Sequence, residues 1–304
     1  MTDRVTRLAF VFCGQGAEVP RMGLDLAEHV PAARALLDRA SAVAGVDVPR
    51  VLAMGGTDFQ RTAVIQPMLT AVTLAVSTEL ARRGVRPVLV AGHSLGELAA
   101  WSAAGGITAS TAIELAGVRG RLMEREATRH PGSMLAFGGD DPGAALELGR
   151  AHGEVVVAAH NARDEWTLAG DRRALGAIAA RFPTTRIPVQ GAWHSPAMAA
   201  AVQELEAALR AASAVPPTIG LVANRTGELV EDPATIPALL AGQLVRPIAW
   251  VRTLETFAAA SITHVIAVGP SKVMRGLVRK NLGARVTILA AETVTDLDAL
   301  AELA

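Results

Sequence analysis

The sequence predicts an α/β protein in which a β-α-β-β-α-β segment interrupts a larger unit, and three observations predict it. Val88 to Ala91 is a short valine-rich run, long enough for a strand buried on both faces and too short for a helix. It runs directly into Gly92-His93-Ser94-Leu95-Gly96, a G-x-S-x-G pattern, and then into Glu97 to Ala104, a helix-forming stretch that stops at Gly105-Gly106. From 133 to 190 the rhythm changes: strands at Ser133 to Phe137, Val155 to His160, Trp166 to Ala169 and Thr185 to Val189 alternate with helices at Pro142 to His152 and Arg172 to Arg181. That order is the ferredoxin-like split arrangement.

The remaining elements follow in chain order. Arg7 to Phe12 is an apolar strand ending in Cys13-Gly14-Gln15-Gly16. That turn lacks the third glycine of a dinucleotide fingerprint and the Gly-Lys-Ser/Thr of a P-loop, so its remaining use is to present backbone N–H groups, those of Gln15 especially. Leu24 to Ala44 is helical in period, and Pro67 to Arg82 is a second helix with Gln66 at its mouth. Ala109 to Thr128 is a helix capped by Thr108 or Ser110. Within it Arg121 can pair with Glu124 on the surface, whereas Arg119 falls among Leu115, Ala116, Leu122 and Met123 and is read as pointing inward. A helix at Ala199 to Ala212, strands at Thr218 to Val222 and His264 to Ala267, and helices around Ala234 to Leu244, Trp250 to Ala260 and Ser271 to Leu282 complete the reading.

Composition narrows the function classes. The 304 residues fit one large α/β domain or a large plus a small one, and 51% hydrophobic against 19% charged residues supports a substantial core. Lys plus Arg equal Asp plus Glu at 29 each, so no basic surplus points to nucleic acid. The single cysteine, Cys13, excludes an internal disulfide and reads as a small buried hydrophobe. No basic-then-apolar leader and no apolar run of spanning length are visible, so a soluble, cytoplasmic protein without membrane contact is expected. No His/Cys/Asp/Glu group has metal-ligand spacing, and no metal is expected.

Ser94 is the candidate nucleophile: at the tip of a strand-to-helix turn its hydroxyl meets the electropositive, N–H-rich start of the following helix. Taken alone the pattern also fits a strand-turn-helix junction without chemistry. His194, in the turn Gly191-Ala192-Trp193-His194 just past the inserted segment, is where a loop residue could reach back to Ser94. The later arginines and lysine, Arg275, Arg279 and Lys280, either attract an acidic carrier protein or form a solvated face, and the second reading is preferred.

Separated stretches resemble one family in its own order: Gly14-Gln15-Gly16, Gln66-Pro67, Gly92-His93-Ser94-Leu95-Gly96-Glu97, Arg119-Gly120-Arg121-Leu122-Met123, Asn161, His194-Ser195-Pro196-Ala197-Met198, Asn224 with Thr226-Gly227, Gln243-Leu244 with Pro247, and Val268-Gly269-Pro270. The chain resembles the malonyl-CoA:acyl carrier protein transacylases and the acyltransferase domains of polyketide synthases. The resemblance implies an α/β-hydrolase-like large subdomain, residues 1–130 and 191–304, and an inserted ferredoxin-like small subdomain, residues 131–190, with the active site between them. It implies Ser94 as nucleophile, His194 as base, and the Gln243 backbone carbonyl as the acceptor that orients the imidazole in place of an aspartate. The backbone N–H groups of Gln15 and Leu95 become the oxyanion hole, and Arg119 the clamp on the free carboxylate of a malonyl-type substrate. Gln66, His93, Asn161 and Trp193 complete the substrate-binding set, His93 and Asn161 serving either the substrate or the shape of the cleft.

The activity so implied is transfer of a malonyl-type acyl group from CoA to the phosphopantetheine thiol of an acyl carrier protein, through an acyl-serine. No cofactor is bound: the CoA thioester is substrate, and phosphopantetheine belongs to the carrier partner. A freestanding monomer serving a polyketide or fatty-acid assembly line is expected. Two departures bear on the acyl group. Trp193 stands where polyketide acyltransferases commonly have phenylalanine or serine, and its bulk should crowd an α-methyl branch. Gly191 removes bulk two positions earlier and could open room for a longer chain. Gly191 thus motivates one alternative, transfer of a larger acyl group between carriers; a second alternative is hydrolysis of stalled acyl thioesters, against which Arg119 argues.

Overall fold

The computed structural model describes residues 6–304. In chain order the elements are β1 (Leu8–Phe12), α1 (Leu24–His29), α2 (Pro31–Ala44), α3 (Val48–Met54), α4 (Thr62–Arg82), β2 (Leu89–Gly92), α5 (Gly96–Ala103), α6 (Ala109–Arg129), β3 (Ser133–Gly138), α7 (Gly143–Arg150), β4 (Val155–Ala162), β5 (Glu165–Gly170), α8 (Arg172–Ala179) and β6 (Thr184–Ile187). There follow α9 (Ala199–Ala211), β7 (Gly220–Val222), α10 (Ile236–Gly242), α11 (Trp250–Ala259), β8 (His264–Val268), α12 (Lys272–Leu282), β9 (Thr287–Ala291) and α13 (Val294–Leu300), with short 3₁₀ turns between.

Two sheets organise them. The first has five strands in the order β7-β2-β1-β8-β9, every pairing parallel, with Phe12 level with both Gly92 and Val268. All residues of β1 and β2 are buried, because helices cover both faces of a parallel sheet and leave its strands no solvent side. The second has four antiparallel strands in the order β4-β5-β3-β6, which is the ferredoxin-like order, and α7 and α8 close its own core around Leu135, Phe137, Leu168, Leu175 and Ile178. The two units are stitched together by backbone: Ile248 N–H donates to Ala158 O and His160 N–H to Ile248 O, both at 2.9 Å.

The first turns of the chain differ from their periodicity. Leu24 to Ala44 is two helices, since Val30 is held extended (φ −123°, ψ 104°) by the Pro31 that follows it. α3 had no apolar period to announce it and is marked instead by its cap, Asp47, whose carboxylate accepts from Arg50 N–H at 3.0 Å. α4 starts at Thr62, five residues before Pro67; proline removes one interior N–H, and a helix buried along nearly its whole length absorbs that loss. Gln66 is therefore inside the helix and fully buried, not at its mouth. With 21 residues and a mean hydropathy of 1.4, α4 has the length and composition of a membrane span, which no simple apolar run had suggested, yet 89% of that stretch is buried against the rest of the fold. β9 and α13 were not legible from apolar spacing, although the Thr293–Asp296 capping box marks the start of α13.

Candidate active site

The elbow after β2 depends on close backbone approach. A Cβ on Gly92 would lie 1.9 Å from the Gly96 carbonyl carbon, and one on Gly96 would lie 2.4 Å from the Phe12 carbonyl oxygen, so only glycine fits either place. Between them Ser94 takes φ 55°, a left-handed conformation that costs a non-glycine residue about 1 kcal/mol or more. Asn224, just after β7, holds it there: its Oδ1 accepts from Ser94 N–H at 2.7 Å, while its side-chain amide donates to Gly92 O. Gly14, at the end of β1, packs on the same elbow; a Cβ there would meet His93 O at 2.6 Å and Ser94 Cβ at 3.3 Å. Gln15 thus follows a residue in contact with Ser94, and neither its backbone N–H nor that of Leu95 has an acceptor among the described residues.

His194 reaches this point from the opposite side. It is 4% exposed, takes φ 59°, and its Nε2 lies 2.8 Å from Ser94 Oγ. Its Nδ1 lies 2.7 Å from Gln243 O, in the turn after α10. A carbonyl can only accept, so Nδ1 carries the proton and Nε2 is left to accept from the serine hydroxyl. The turn is braced by Ser195 Oγ, which donates to Ala192 O at 2.6 Å. Burial, then the neighbouring charges of Arg119 and His93, push the imidazole down to about 3 against the pull of the Gln243 carbonyl. The ring is a neutral base throughout the physiological range.

Arg119, on α6, is 3% exposed and points inward. Its Nη1 donates to Gln66 Oε1 at 3.0 Å, and its Nη2 donates to Gln243 Oε1 at 2.7 Å and to Ser94 Oγ at 3.1 Å. Gln66 in turn donates to Met123 Sδ at 3.3 Å, which orients its amide oxygen toward the guanidinium. Burial pulls Arg119 down to about 10, and Glu97 opposes that shift. His93 turns away from the dyad: Nε2 lies 2.9 Å from Asn161 Oδ1, and the ring meets Trp250 edge-on at 5.3 Å. Asn161 Nδ2 donates to Thr167 Oγ1 at 3.1 Å, so this pair joins the elbow to the antiparallel sheet.

The structure brings Ser94, His194, Arg119, Gln66 and the Gln243 carbonyl into one cluster, with the Gln15 and Leu95 turns against it. His93 and Asn161 form a second layer. Trp193 is elsewhere: with Gln60, Arg61, Thr62, Arg172 and Gln190 it walls a cavity of about 590 Å³ that Ser94 and His194 do not line. The cavity still abuts the site, because Gln15 Nε2 donates to Thr62 Oγ1 at 3.2 Å and Trp193 directly precedes His194. Gly191 does not open acyl room. A Cβ there would lie 2.2 Å from the Trp193 ring, so the indole already fills the space.

Other expectations meet the structure residue by residue. Arg121 makes no ion pair among the described residues, and Glu124 faces Arg61 instead at 3.6 Å. Lys280, on α12, is exposed as expected and also pairs with Glu165 at the start of β5. Cys13 is buried and its thiol is pushed up, first by burial and then by Glu18, which keeps it inert. Sequence reasoning gave no role to Glu97 and Asn224, which brace the elbow from beneath; their signal was their place in the quoted motifs. Among the described residues no three His, Cys, Asp or Glu side chains gather as a metal site.

Residues 9–297 match the family described as acyl transferase domain. The chain is 32% identical over 305 residues to the malonyl CoA-acyl carrier protein transacylase of Mycobacterium tuberculosis, covering 97% of this chain and 100% of that protein. It is 30% identical to the enzyme of the same name from Escherichia coli, over 91% and 93%. Among solved structures it is similar to a malonyl-CoA:acyl carrier protein transacylase from Xanthomonas oryzae pv. oryzae, with TM-score 0.89, 31% identity and 98% of both chains covered. It is also similar to a malonyl-transacylase solved with its type II polyketide acyl-carrier protein, with TM-score 0.91, 26% identity and coverage of 98% and 100%. With an elbow serine, a buried neutral imidazole and a match over nearly its whole length, the chain belongs to the acyl transferase domain family.

Proposed function

We propose that this protein transfers a malonyl group from CoA to the phosphopantetheine thiol of an acyl carrier protein. The observation that carries the reading is the relay Gln243 O, His194 Nδ1, His194 Nε2, Ser94 Oγ, with Arg119 Nη2 3.1 Å from the same hydroxyl. Ser94 gives its proton to His194 Nε2 as Oγ attacks the thioester carbonyl. The N–H groups of Gln15 and Leu95 receive the oxyanion. The tetrahedral adduct collapses to the serine ester, the C–S bond breaks, and the imidazolium returns its proton to the departing CoA thiolate. The carrier thiol then repeats the sequence in reverse: His194 takes its proton, sulfur attacks the ester, and Ser94 Oγ leaves with the proton restored.

Arg119 supplies the selection. A guanidinium stripped of water gains most from a carboxylate, which a malonyl group carries and an acetyl group lacks. The Trp193 indole in the Gly191 space removes the motive for a longer acyl chain, and the buried arginine disfavours a hydrolase acting on neutral acyl groups. We assign residues 1–130 and 191–304 to the large subdomain and 131–190 to the small one, and take the chain to act as a cytoplasmic monomer without a bound cofactor, in polyketide or fatty-acid assembly. Mass spectrometry of the intact protein after incubation with malonyl-CoA, acetyl-CoA or methylmalonyl-CoA tests the assignment. A malonyl adduct on Ser94 that a holo carrier protein removes is expected; an unmodified Ser94, or loss of the adduct to water alone, overturns it.

A further inference from the structure

Beneath the elbow lies a polar chain whose direction is fixed at both ends. Glu97, in the first turn of α5, is 2% exposed. Its Oε1 accepts from Asn224 N–H at 2.8 Å and its Oε2 accepts from Gln243 Nε2 at 2.5 Å. The same Gln243 amide nitrogen donates to Ser94 O at 3.1 Å, and Gln243 Oε1 accepts from Arg119 Nη2 at 2.7 Å. A guanidinium can only donate, so Gln243 must turn its oxygen toward Arg119 and its NH₂ toward Glu97. A backbone N–H can also only donate, so the other Glu97 oxygen must accept as well. Position 97 therefore needs an acceptor on each of its two terminal atoms, which a carboxylate offers and an amide, whose NH₂ can only donate, does not. Glu97 is also the carboxylate that offsets the charge of Arg119, which among the described residues touches no carboxylate directly.

We propose that Glu97 is a positioning residue: acting through the Gln243 side chain, it holds the Arg119 guanidinium over Ser94 Oγ in the orientation that receives the acyl carboxylate. The inference rests on the role proposed for Arg119. Asn224 shares the device, since its backbone binds Glu97 while its side chain binds Ser94 N–H, so one carboxylate ties the elbow to the arginine.

The test compares the rates at which malonyl-CoA and acetyl-CoA acylate Ser94 in single-turnover mass spectrometry. Glu97→Gln keeps the shape and removes one acceptor. It should lower the malonyl-to-acetyl rate ratio about 10-fold or more, the scale of a lost hydrogen bond to a charged group. Glu97→Asp keeps both acceptors and loses a methylene, and should retain more of that ratio than Glu97→Gln. A packing role ranks the two variants the other way, because glutamine is the better fit in shape. If Glu97→Gln does not fold, Gln243→Met removes the side-chain link while leaving the backbone carbonyl on His194, and the same fall in the ratio is expected. An unchanged ratio, or glutamine outperforming aspartate, overturns the proposal. A parent protein that is not malonylated at all would instead overturn the reading of Arg119 and Ser94.

Discussion

The parallel and antiparallel sheets contribute to the site in different ways. Every strand of the parallel sheet points the same way, so the segments that follow β1, β2 and β7 gather at one end, where Ser94 and Asn224 are hydrogen-bonded and Gly14 packs against the elbow. The antiparallel sheet alternates direction, which scatters its loops to both ends. It meets the elbow through Asn161, the partner of His93, and has a separate small core. Parallel topology concentrates backbone donors and strained turns, whereas the antiparallel unit offers a wall. Substitutions at the first should change the reaction, and those in the second should change stability or substrate fit.

The largest effect expected is at the elbow. Ser94→Ala removes the hydroxyl that His194 and Arg119 both contact, and should lower acylation by about 10⁴-fold or more while the fold is retained, measured by intact mass and by circular dichroism. Residual acylation near the parent rate would detach the parallel sheet's end from the chemistry.

Next comes Arg119→Ala, which tests charge rather than attack. Loss of the guanidinium should lower malonyl transfer by about 10- to 100-fold, the range for hydrogen bonds to a charged group, and spare acetyl transfer. It should also move the acid limb of the pH profile. His194 is held down to about 3 partly by the charge of Arg119; without that charge the imidazole gains its proton more easily, so its value rises toward the ordinary 6.5. Glu97, pushed up to about 7 by burial and restrained partly by Arg119, shifts the same way when that attraction is gone. Acetylation by the variant should therefore fail at a higher pH than in the parent as the solution is acidified. A limb that stays in place would mean that Arg119 exerts no field on the dyad.

The same contrast explains what was legible in advance. Ser94, His194 and Arg119 stood out because glycine spacing, a turn after an insertion and a cation among apolar residues are local patterns. The antiparallel unit was legible through its six alternating elements, and its strand order followed. The Trp193–Gly191 relation was not, because the direction of the indole is set by tertiary packing and a sequence shows only two sizes. Gln66 was placed at a helix mouth because Pro67 is an ordinary start signal, and burial overrode it. Glu97 stood in a quoted motif, yet its role was not legible, for a different reason. A carboxylate in a first helical turn is normally explained by the helix dipole, and only the two facing donors show that it does something else.

The smallest effect on rate is expected from the antiparallel sheet, and it separates wall from engine most cleanly. Leu168→Ala empties part of the small core, where Leu168 is fully buried, and should lower unfolding stability by about 2–5 kcal/mol in a denaturant titration. The rate of Ser94 acylation per folded molecule should stay within about twofold, because Leu168 packs in the small core and not in the large one behind the elbow, and sites without shared partners act nearly additively. Asn161→Ala lies on the boundary between the two. It removes the partner of His93, which itself stands one residue from the nucleophile, and so should lower acylation a few-fold, about the worth of one neutral hydrogen bond. If Leu168→Ala slowed acylation as much as Asn161→Ala does, the antiparallel sheet would be part of the catalytic frame, and the division drawn between the two sheets would fail.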